Sequence, residues 1–250
     1  MEKIIWIVGM GPGNENMMTM ECRKCMEEAD VIVGYTLYVD LVREYFPQKE
    51  FAVTGMRQEM ERCRMCFDLA SQGKKVALIC SGDAGVYGMA APMYELLEEY
   101  KTKPGYEEIV LEVIAGVTAA ESGAALLGAP LNHDFCVISL SDLLTPWEVI
   151  EKRLKAAIQG DFAIAVYNPS SRKRSDYLKR ACEILTEAGA KPERACGAVM
   201  NIGREGTQVY TMALGELKDF EANMFTTVFV GNSESKILNG KLITSRGYRI

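Results

Sequence analysis

The sequence predicts an α/β protein with two α/β domains, the first built on a mostly parallel sheet and the second on a mixed sheet. In the first half, short apolar runs alternate with helix-like stretches, which is typical of βαβ units. In the second half, Ala195–Met200 and Gln208–Met212 are joined by a short glycine-containing link, which indicates an antiparallel hairpin. Between the halves, Gly128–Asp134 has the composition of a linker. We therefore expect a boundary near residue 130, with domains at 1–130 and 131–250.

The first domain should hold five strands and four helices. Its continuous apolar runs predict parallel strands that are buried on both faces. Thr19 is a suitable N-cap for the first helix, and Gly73 is a normal C-terminal stop for the second. The predicted strands are Lys3–Gly9, Val31–Tyr35, Phe51–Thr54, Val76–Cys80 and Ile109–Ile114, and the predicted helices run from Thr19 to Ala29, over Arg57–Gln72, from about Val86 to Tyr100 and over Thr118–Leu127.

The second domain should continue to alternate strand and helix, with its hairpin near the end. Each strand and helix is predicted from the spacing of its apolar residues. The predicted strands are Phe135–Leu140, Phe162–Tyr167, Ala195–Met200, Gln208–Met212 and Phe225–Val230, and the predicted helices are Trp147–Ala157, Asp176–Ala188 and Ala213–Phe220.

Composition and charge exclude several classes of function. The 250-residue chain is 48% hydrophobic and 25% charged, with a net charge of −6. This acidic balance argues against a nucleic-acid binder, although a local basic pocket can still hold an anionic substrate. No apolar run approaches the roughly 18 residues that a bilayer span needs, and the first residues lack the pattern of a cleavable leader. We expect a cytoplasmic protein that binds neither nucleic acid nor membrane.

Eight cysteines include two CxxC pairs, Cys22/Cys25 and Cys63/Cys66. Four thiolates could form a metal site. However, both pairs lie in helix-like segments, where positions i and i+3 share a face and suit packing. The 37 residues between the pairs, 26–62, also exceed the roughly 15–20 that are typical of a four-cysteine zinc site. We expect free thiols in a reducing compartment and no metal site.

Three glycine-rich stretches follow predicted strands. After the first strand come Gly9, Gly11 and Gly13, but Asn14 takes the third glycine position of the pattern G-x-G-x-x-G. Pro12 also removes one backbone donor. The dinucleotide-binding pattern therefore fails, which argues against a nucleotide-dependent oxidoreductase. A tight strand exit that needs positive φ at glycine is the alternative explanation for this loop.

The second and third stretches, residues 80–88 (CSGDAGVYG) and 115–120 (AGVTAA), follow the fourth and fifth predicted strands. In open α/β sheets, ligands bind at the carboxyl edge of the strands. Three small-residue loops at that edge predict a site for a flat or bulky ligand that lies close to the backbone.

In this order and spacing, the three stretches resemble the successive motifs of the tetrapyrrole (corrin/porphyrin) methylase family of S-adenosylmethionine-dependent enzymes. The resemblance covers nearly the whole chain, although Ala115 stands where relatives commonly have proline. It implies a cofactor cleft between two α/β domains, and a homodimer. It also implies S-adenosylmethionine contacts at Ser81, Gly82, Asp83, Val86, Thr118, Ala119, Asn168, Met200 and Asn201, with Pro12 of the first loop close by.

Further stretches are similar to the branch of this family that methylates C-17 of a corrinoid precursor in cobalamin biosynthesis and contracts its macrocycle. The resemblance implies a tetrapyrrole substrate, either precorrin-3B or cobalt-factor III, and the many thiols favour cobalt-factor III. The alternatives are a family member for another ring position or a non-corrin substrate, and a non-catalytic carrier of a corrinoid or metal. The stretches are residues 35–36, 55–62, 133–147, 167–171 and 201–206.

Ring contraction moves protons, so general acid–base groups are candidates. His133, the only histidine, and Asp83 are the candidate catalytic residues. A linker or capping role suits His133 as well, and an Asx-turn that fixes its own loop suits Asp83 as well.

The resemblance implies that the first loop faces the tetrapyrrole, so Gly11 and Gly13 are candidate substrate contacts. Tyr35 and Tyr87 could stack on the macrocycle or simply be buried. Arginines can bind the substrate's carboxylates in a bidentate manner, yet a charge run suits a solvated surface equally. We place Arg57 among the substrate contacts, and the other candidates are Arg62 and Arg64 after the third strand and Arg172, Lys173 and Arg174 after Asn168.

Overall fold

The computed structural model describes residues 3–171 and 173–248, so Arg172 of the basic run lies outside the described residues. The described residues form two compact units, one ending at Thr118 and the other beginning at Ala119. The helix expected over Thr118–Leu127 belongs to the second unit by this division. The proposed domain boundary near residue 130 stays a prediction.

All five strands of the first unit fall where the sequence places them. One helix, α2, was not expected, since it follows a strand without any intervening loop. The elements are β1 (Lys3–Gly9), α1 (Met20–Glu28), β2 (Val31–Tyr35), α2 (Thr36–Val42), β3 (Glu50–Thr54), α3 (Glu59–Ser71), β4 (Val76–Cys80), α4 (Ala90–Tyr100) and β5 (Ile109–Ile114), with short 3-10 turns at Glu15–Met17 and Arg43–Tyr45.

Two helix starts differ from the expected ones for backbone reasons. Arg57 has φ +65° and Tyr87 has φ +54°, and a residue in the left-handed region cannot continue a right-handed helix. Thus α3 begins at Glu59 and α4 at Ala90. The N-cap prediction for α1 is confirmed, because the Thr19 side chain accepts a hydrogen bond from the N–H of Cys22.

The first sheet is entirely parallel and has the strand order β3-β2-β4-β1-β5. Trp6 of β1 belongs to a buried cluster with Cys22 of α1, while Ile7 packs in another with Phe67 of α3 and Met93 of α4. Helices therefore cover both faces, as the continuous apolar strands predict. The chain leaves β1 towards β2 and leaves β4 towards β5, in opposite directions, so a topological switch point lies between β4 and β1.

The second unit is a mixed α/β structure. Its main sheet has the order β10-β9-β11-β8-β7; β7 and β8 are parallel, and the other neighbours are antiparallel. The predicted mixed sheet and hairpin are confirmed. The elements are α5 (Ala119–Leu127), β6 (Gly128–Ala129), β7 (Phe135–Ser139), α6 (Trp147–Gln159), β8 (Ala163–Tyr167), α7 (Tyr177–Glu187), β9 (Ala195–Met200), β10 (Gln208–Ala213), α8 (Leu214–Leu217), β11 (Thr226–Val230), β12 (Ser235–Leu238) and β13 (Lys241–Thr244).

A third, three-stranded sheet was not predicted. β12 and β13 form a hairpin, and β13 pairs in parallel with β6. The expectation that Gly128–Asp134 is only a linker was wrong, because its first two residues are strand β6. Asn239 and Gly240 join the hairpin with φ of +50° and +74°, the left-handed pair that a two-residue hairpin turn requires.

Candidate functional site

The three glycine loops meet at the carboxyl edge of β4, β1 and β5, which are neighbours in the sheet. A Cβ on Gly9 would lie 2.7 Å from the backbone nitrogen of Gly116. A Cβ on Gly116 would lie 2.2 Å from the carbonyl oxygen of Gly82 and 2.5 Å from that of Gly9. Real side chains do not approach backbone this closely, so these positions admit only glycine. This backbone contact joins all three loops and explains the glycines at positions 9 and 116.

The first two loops are also joined by a short backbone ladder. The N–H of Gly11 donates to the carbonyl of Gly82 at 3.1 Å, and the N–H of Gly82 donates to the carbonyl of Gly11 at 2.7 Å. Both glycines have φ near +75°. Gly11, Pro12 and Gly13 are all buried. Since the N–H of Gly11 is already donated within the protein, it is not available to a ligand, and the substrate roles of Gly11 and Gly13 stay predictions.

Asp83 ties the second loop to the third. Its Oδ1 accepts the N–H of Gly85 at 2.8 Å, and its Oδ2 accepts the N–H of Gly116 at 2.8 Å. The first bond is the Asx-turn that the sequence allowed, and the second joins two loops that are far apart in the chain. This half-buried carboxylate therefore organises the edge, and its cofactor and catalytic roles stay predictions.

The rest of the second loop presents small and half-buried groups. Ser81 and Val86 are half-buried, whereas Tyr87 is 58% exposed. Tyr87 holds its left-handed backbone at a cost of about 1–2 kcal/mol, and such strain collects at functional sites. Gly88 closes the loop, since a Cβ there would lie 2.4 Å from the carbonyl oxygen of Ala84.

At the far side of this edge, β2 and β3 end beside a buried arginine. Arg62 of α3 is only 5% exposed. Its Nε donates to Oγ1 of Thr54 at 2.8 Å, and its Nη2 donates to the carbonyl of Gly55 at 3.1 Å. The guanidinium carbon lies 5.9 Å from the ring centre of Tyr35. The structure thus brings Tyr35 together with Arg62, whereas Arg57, the arginine predicted to bind substrate, stands on an exposed turn.

The second unit places two asparagines directly after parallel strands. Asn168 follows β8 and Asn201 follows β9, with φ of +51° and +54°. Both strands pair antiparallel with β11, so their carboxyl ends share one edge. The Nδ2 of Asn168 donates to Oγ of Ser139 at 2.9 Å, and that of Asn201 donates to the carbonyl of Gly206 at 3.3 Å. Within the described residues, neither amide Oδ1 accepts a hydrogen bond, so each is available to a donor.

Helix α5 begins at the same edge of the second unit. The N–H of Ala120 donates to the hydroxyl of Tyr167 at 2.8 Å, and Tyr167 is the last residue of β8. The structure therefore brings Ala119 to the end of β8, the strand that Asn168 follows. Met200 is half-buried and ends β9, which is separated from β8 by β11. Thr118, which ends the first unit, is half-buried too.

A side-chain network that the sequence did not reveal supports this edge. Nη1 of Arg174 donates to Oγ of Ser141 at 2.8 Å and to Oδ1 of Asp142 at 3.3 Å. The Tyr177 hydroxyl donates to Oδ2 of Asp142 at 2.6 Å. This bond, together with the nearby guanidinium, holds the pKa of Asp142 below its ordinary value. Arg174, a candidate substrate contact, is instead bound within its own unit, whereas Lys173 is exposed.

Comparison with known proteins agrees with this geometry. The model of the tetrapyrrole (corrin/porphyrin) methylase family matches residues 4–218. The chain belongs to this family. A probable cobalt-factor III C(17)-methyltransferase of Salmonella typhimurium is 44% identical over 98% of this chain and 99% of its own. A precorrin-3B C(17)-methyltransferase of a Sinorhizobium species is 37% identical over 94% and 91%. In two further relatives the matching region is about half of a longer chain, 52% and 45%.

The fold comparison points to the same group of methylases. The crystal structure of the methyltransferase CobJ superposes with a TM-score of 0.88 at 35% sequence identity. The match covers 96% of this methylase and 99% of that chain. The parallel first sheet and mixed second sheet are therefore shared with a solved methyltransferase of related sequence.

His133 lies at the other edge of the second sheet of this methylase. It immediately precedes Asp134 and strand β7, whereas Asn168 follows the carboxyl end of the neighbouring strand β8. A five-residue strand spans about 17 Å. The Nδ1 of His133 accepts the N–H of Asp134 at 2.8 Å. The ring borders a cavity of about 280 Å³ whose lining also includes Leu131, Asn132 and Arg246. The structure does not bring His133 to the asparagine edge, and its catalytic role stays a prediction.

The cysteines of this methylase are free thiols, and all except the half-buried Cys136 are buried. Burial raises the pKa of Cys22 to about 12 and that of Cys63 to about 11. In the described part of the chain, no three His, Cys, Asp or Glu side chains come together as metal ligands would. Cys63 and Cys66 instead pack against β4 inside the core. The described part also contains no helix with the length and hydropathy that a membrane span needs.

Proposed function

We propose that this methylase transfers a methyl group from S-adenosylmethionine to C-17 of cobalt-factor III and contracts the macrocycle, a step of cobalamin biosynthesis. The observation that carries the proposal is its full-length likeness, at 44% identity, to a relative named for this activity. The contact of the three glycine loops supports it, because it holds small residues rigidly at the edge where a ligand binds in such sheets. Precorrin-3B is the alternative substrate, since a relative at 37% identity is named for it.

The residues of the two carboxyl edges fit S-adenosylmethionine. In the first unit, Ser81 and Val86 are half-buried on a loop that the close backbone approach of Gly9, Gly82 and Gly116 holds in place. In the second unit, the open Oδ1 acceptors of Asn168 and Asn201 suit the hydroxyl and amino donors of a nucleoside. When bound, S-adenosylmethionine supplies an electrophilic methyl group on a sulfonium. We propose the following contacts: Pro12, Ser81, Gly82, Asp83, Val86, Thr118, Ala119, Asn168, Met200 and Asn201.

The protein's part in methyl transfer is to hold and orient the reactants. Transfer of a methyl group to an electron-rich ring carbon consumes positive charge, so a weakly polar, water-excluding surface favours it. Rigid loops then supply a near-attack arrangement without a catalytic triad. The backbone contact of Gly9, Gly82 and Gly116 and the Asp83 carboxylate provide that rigidity.

Ring contraction requires proton transfer, for which we retain Asp83 and His133 as candidates. Both Asp83 oxygens already accept backbone N–H groups, which fixes the orientation of the carboxylate and leaves lone pairs for a further hydrogen bond. If His133 takes part, His133→Ala should abolish contraction while methyl transfer continues. Absorbance spectra of the product separate these two steps, and unchanged contraction would exclude His133.

The decisive experiment is an anaerobic incubation with S-adenosylmethionine and either cobalt-factor III or precorrin-3B. We expect a gain of one methyl group on cobalt-factor III, read by mass spectrometry, together with an absorbance change for contraction. Methylation of precorrin-3B alone would assign the alternative substrate. No methyl gain on either tetrapyrrole would overturn the proposal.

We also propose a homodimer in the cytoplasm. The family resemblance supports the dimer, and eight free thiols suit a reducing compartment. Light scattering after size exclusion should give about twice the chain mass of 27.7 kDa. A mass equal to one chain at micromolar concentration would overturn the dimer.

A further inference from the structure

Arg62 is a buried cation without an acidic partner. Its side chain is 5% exposed, yet no carboxylate oxygen among the described residues lies within the 4.0 Å of an ion pair. Its Nε and Nη2 donate to two neutral acceptors, Oγ1 of Thr54 and the carbonyl of Gly55. Nη1 donates to no acceptor among the described residues. Every fully buried side-chain nitrogen of these residues has a hydrogen-bond partner. Nη1 must therefore lie at the small exposed fraction of the side chain.

This arrangement is incomplete from an electrostatic point of view. A charge removed from water is costly unless it is both paired and hydrogen-bonded. Here the hydrogen bonds orient the guanidinium, but they supply no opposite charge. A planar guanidinium with one outward edge is suited to a carboxylate that arrives with a ligand.

The position of Arg62 limits the kind of ligand. It acts at the end of β3, and β3 is separated from β1 by β2 and β4. Three inter-strand spacings amount to about 14 Å. A ligand that reaches both the glycine loops and Arg62 must therefore be broad and carry acidic groups at its periphery. Tyr35 lies between them on β2 and offers an aromatic face beside the guanidinium.

We propose that Arg62 binds a peripheral carboxylate of the tetrapyrrole substrate through Nη1, with Thr54 and Tyr35 as positioning residues. This inference rests on the proposed function and deepens it, because it names the group of the substrate that is recognised. It also replaces the exposed Arg57 by the buried Arg62 as the main arginine contact.

The test compares Arg62→Gln with Arg153→Gln. Arg153 is exposed on α6 and has no hydrogen bond or ion pair within the described residues, so its substitution makes the same change of charge on the surface. We expect Arg62→Gln to raise the dissociation constant for cobalt-factor III roughly 10- to 100-fold, the loss of a charge-assisted hydrogen bond. Affinity for S-adenosylhomocysteine, measured by calorimetry, should stay within about twofold, and Arg153→Gln should change neither constant.

Two further variants cover the case in which Arg62→Gln does not fold. Arg62→Lys retains the charge without the planar fork, and Thr54→Val removes the acceptor that orients Nε. Each should weaken cobalt-factor III binding by a smaller factor, roughly 3- to 10-fold. Unchanged binding in both would overturn the inference.

The outcomes separate this inference from the function on which it rests. A wild-type protein that binds neither tetrapyrrole would contradict the proposed function. Wild-type binding that Arg62→Gln leaves unchanged would overturn only the role of Arg62. An equal loss of S-adenosylhomocysteine and cobalt-factor III affinity in a normally folded Arg62→Gln would assign the carboxylate to the cofactor and overturn its assignment to the substrate.

Discussion

The carboxyl edges of the two main sheets are built in opposite ways. The first unit brings three loops into backbone contact at Gly9, Gly82 and Gly116, and a methyl group on Gly9 or Gly116 would collide with backbone. The second unit uses polar side chains, with Asn168 bonded to Ser139 and Arg174 bonded to Asp142. The first edge is specified by the absence of side chains and the second by their hydrogen bonds. Substitutions should therefore be severe in the first unit and milder in the second.

The largest effect should come from Gly116→Ala. Its Cβ would lie 2.2 Å from the Gly82 carbonyl oxygen, so the loops must separate. We expect the free energy of unfolding in urea to fall by about 3 kcal/mol, with loss of S-adenosylhomocysteine binding in calorimetry. Gly215→Ala is the control, because its Cβ would make only an ordinary 3.5 Å contact with Pro192 and α8 favours alanine. Equal tolerance of the two substitutions would show that the close approach is not required.

Asp83→Ala should have the second largest effect. It removes the acceptor of two backbone N–H groups, which should lower the free energy of unfolding by about 2 kcal/mol and weaken S-adenosylhomocysteine binding. Asp30→Ala is a matched control, since Oδ2 of Asp30 accepts the N–H of Lys75 at 2.8 Å at the amino edge of the same sheet. It should cost stability and leave the affinity unchanged. If the Asp83→Ala variant binds S-adenosylhomocysteine with wild-type affinity, Asp83 has no part in the cofactor site.

Asn168 allows a finer test in the second unit. Asn168→Ala should lower the free energy of unfolding by about 1 kcal/mol, because alanine tolerates φ +51° poorly. Asn168→Gly relieves the strain but removes the amide, so it should fold normally and still bind S-adenosylhomocysteine more weakly. Asn239→Ala carries the same strain at the β12–β13 turn and should leave binding intact. Wild-type affinity in Asn168→Gly would remove this side chain from the site.

The smallest effect concerns the buried thiols at alkaline pH. Burial raises the pKa of Cys63 from 9.0 to about 11, so between these values the folded protein retains a proton that the unfolded chain loses. Stability from this thiol is therefore complete below pH 9 and falls as pH rises towards 11. Cys63→Ala should make the fall between pH 9 and 10 shallower by at most about 1 kcal/mol in urea titrations.

Cys136→Ala provides the comparison in the second unit, since the pKa of Cys136 is also raised to about 11 by burial. It should flatten the same part of the curve by a similar amount. Stability curves that run parallel to the wild type in both variants would contradict these raised pKa values.

The strands of the first unit could be predicted because their signals are local. Val31–Tyr35 and Val76–Cys80 are continuous apolar runs bounded by polar residues, and their ends in the structure match. The start of α4 could not be predicted in the same way. Residues 86–89 have an acceptable composition for a helix, and only the left-handed backbone of Tyr87, set by the surrounding loop, excludes it.

The hairpin β12–β13 shows a signal that was present but not used. Ser235–Leu238 and Lys241–Thr244 are short and partly polar, so their apolar pattern is weak. Asn239-Gly240 between them is nevertheless a strong indicator of a two-residue turn. The pairing of β13 with β6 depends on residues more than a hundred positions earlier in the chain, and local sequence patterns do not indicate such contacts.

For the candidate site, the sequence located the loops but not the bonds between them. Small residues after parallel strands predicted the edge correctly. The bond from Gly116 to Asp83 spans 33 positions, and a tertiary contact of this kind leaves no local pattern. Likewise, Arg62 and Arg64 look alike in a charged helix, although only Arg62 is buried. Burial of a charge depends on neighbours that the helix itself does not supply.

The pairing of β13 with β6 constrains the order in which the chain can fold during its synthesis. Oγ1 of Thr244 donates to the carbonyl of Pro130 at 2.6 Å, so the third sheet joins segments 114 positions apart. During synthesis, the sheet of the first unit can close once Ile114 has emerged from the ribosome. The second unit must leave Gly128–Ala129 unpaired until Thr244 follows, on the order of ten seconds later. Through that interval the nascent chain carries a completed first sheet and an unpaired β6 segment.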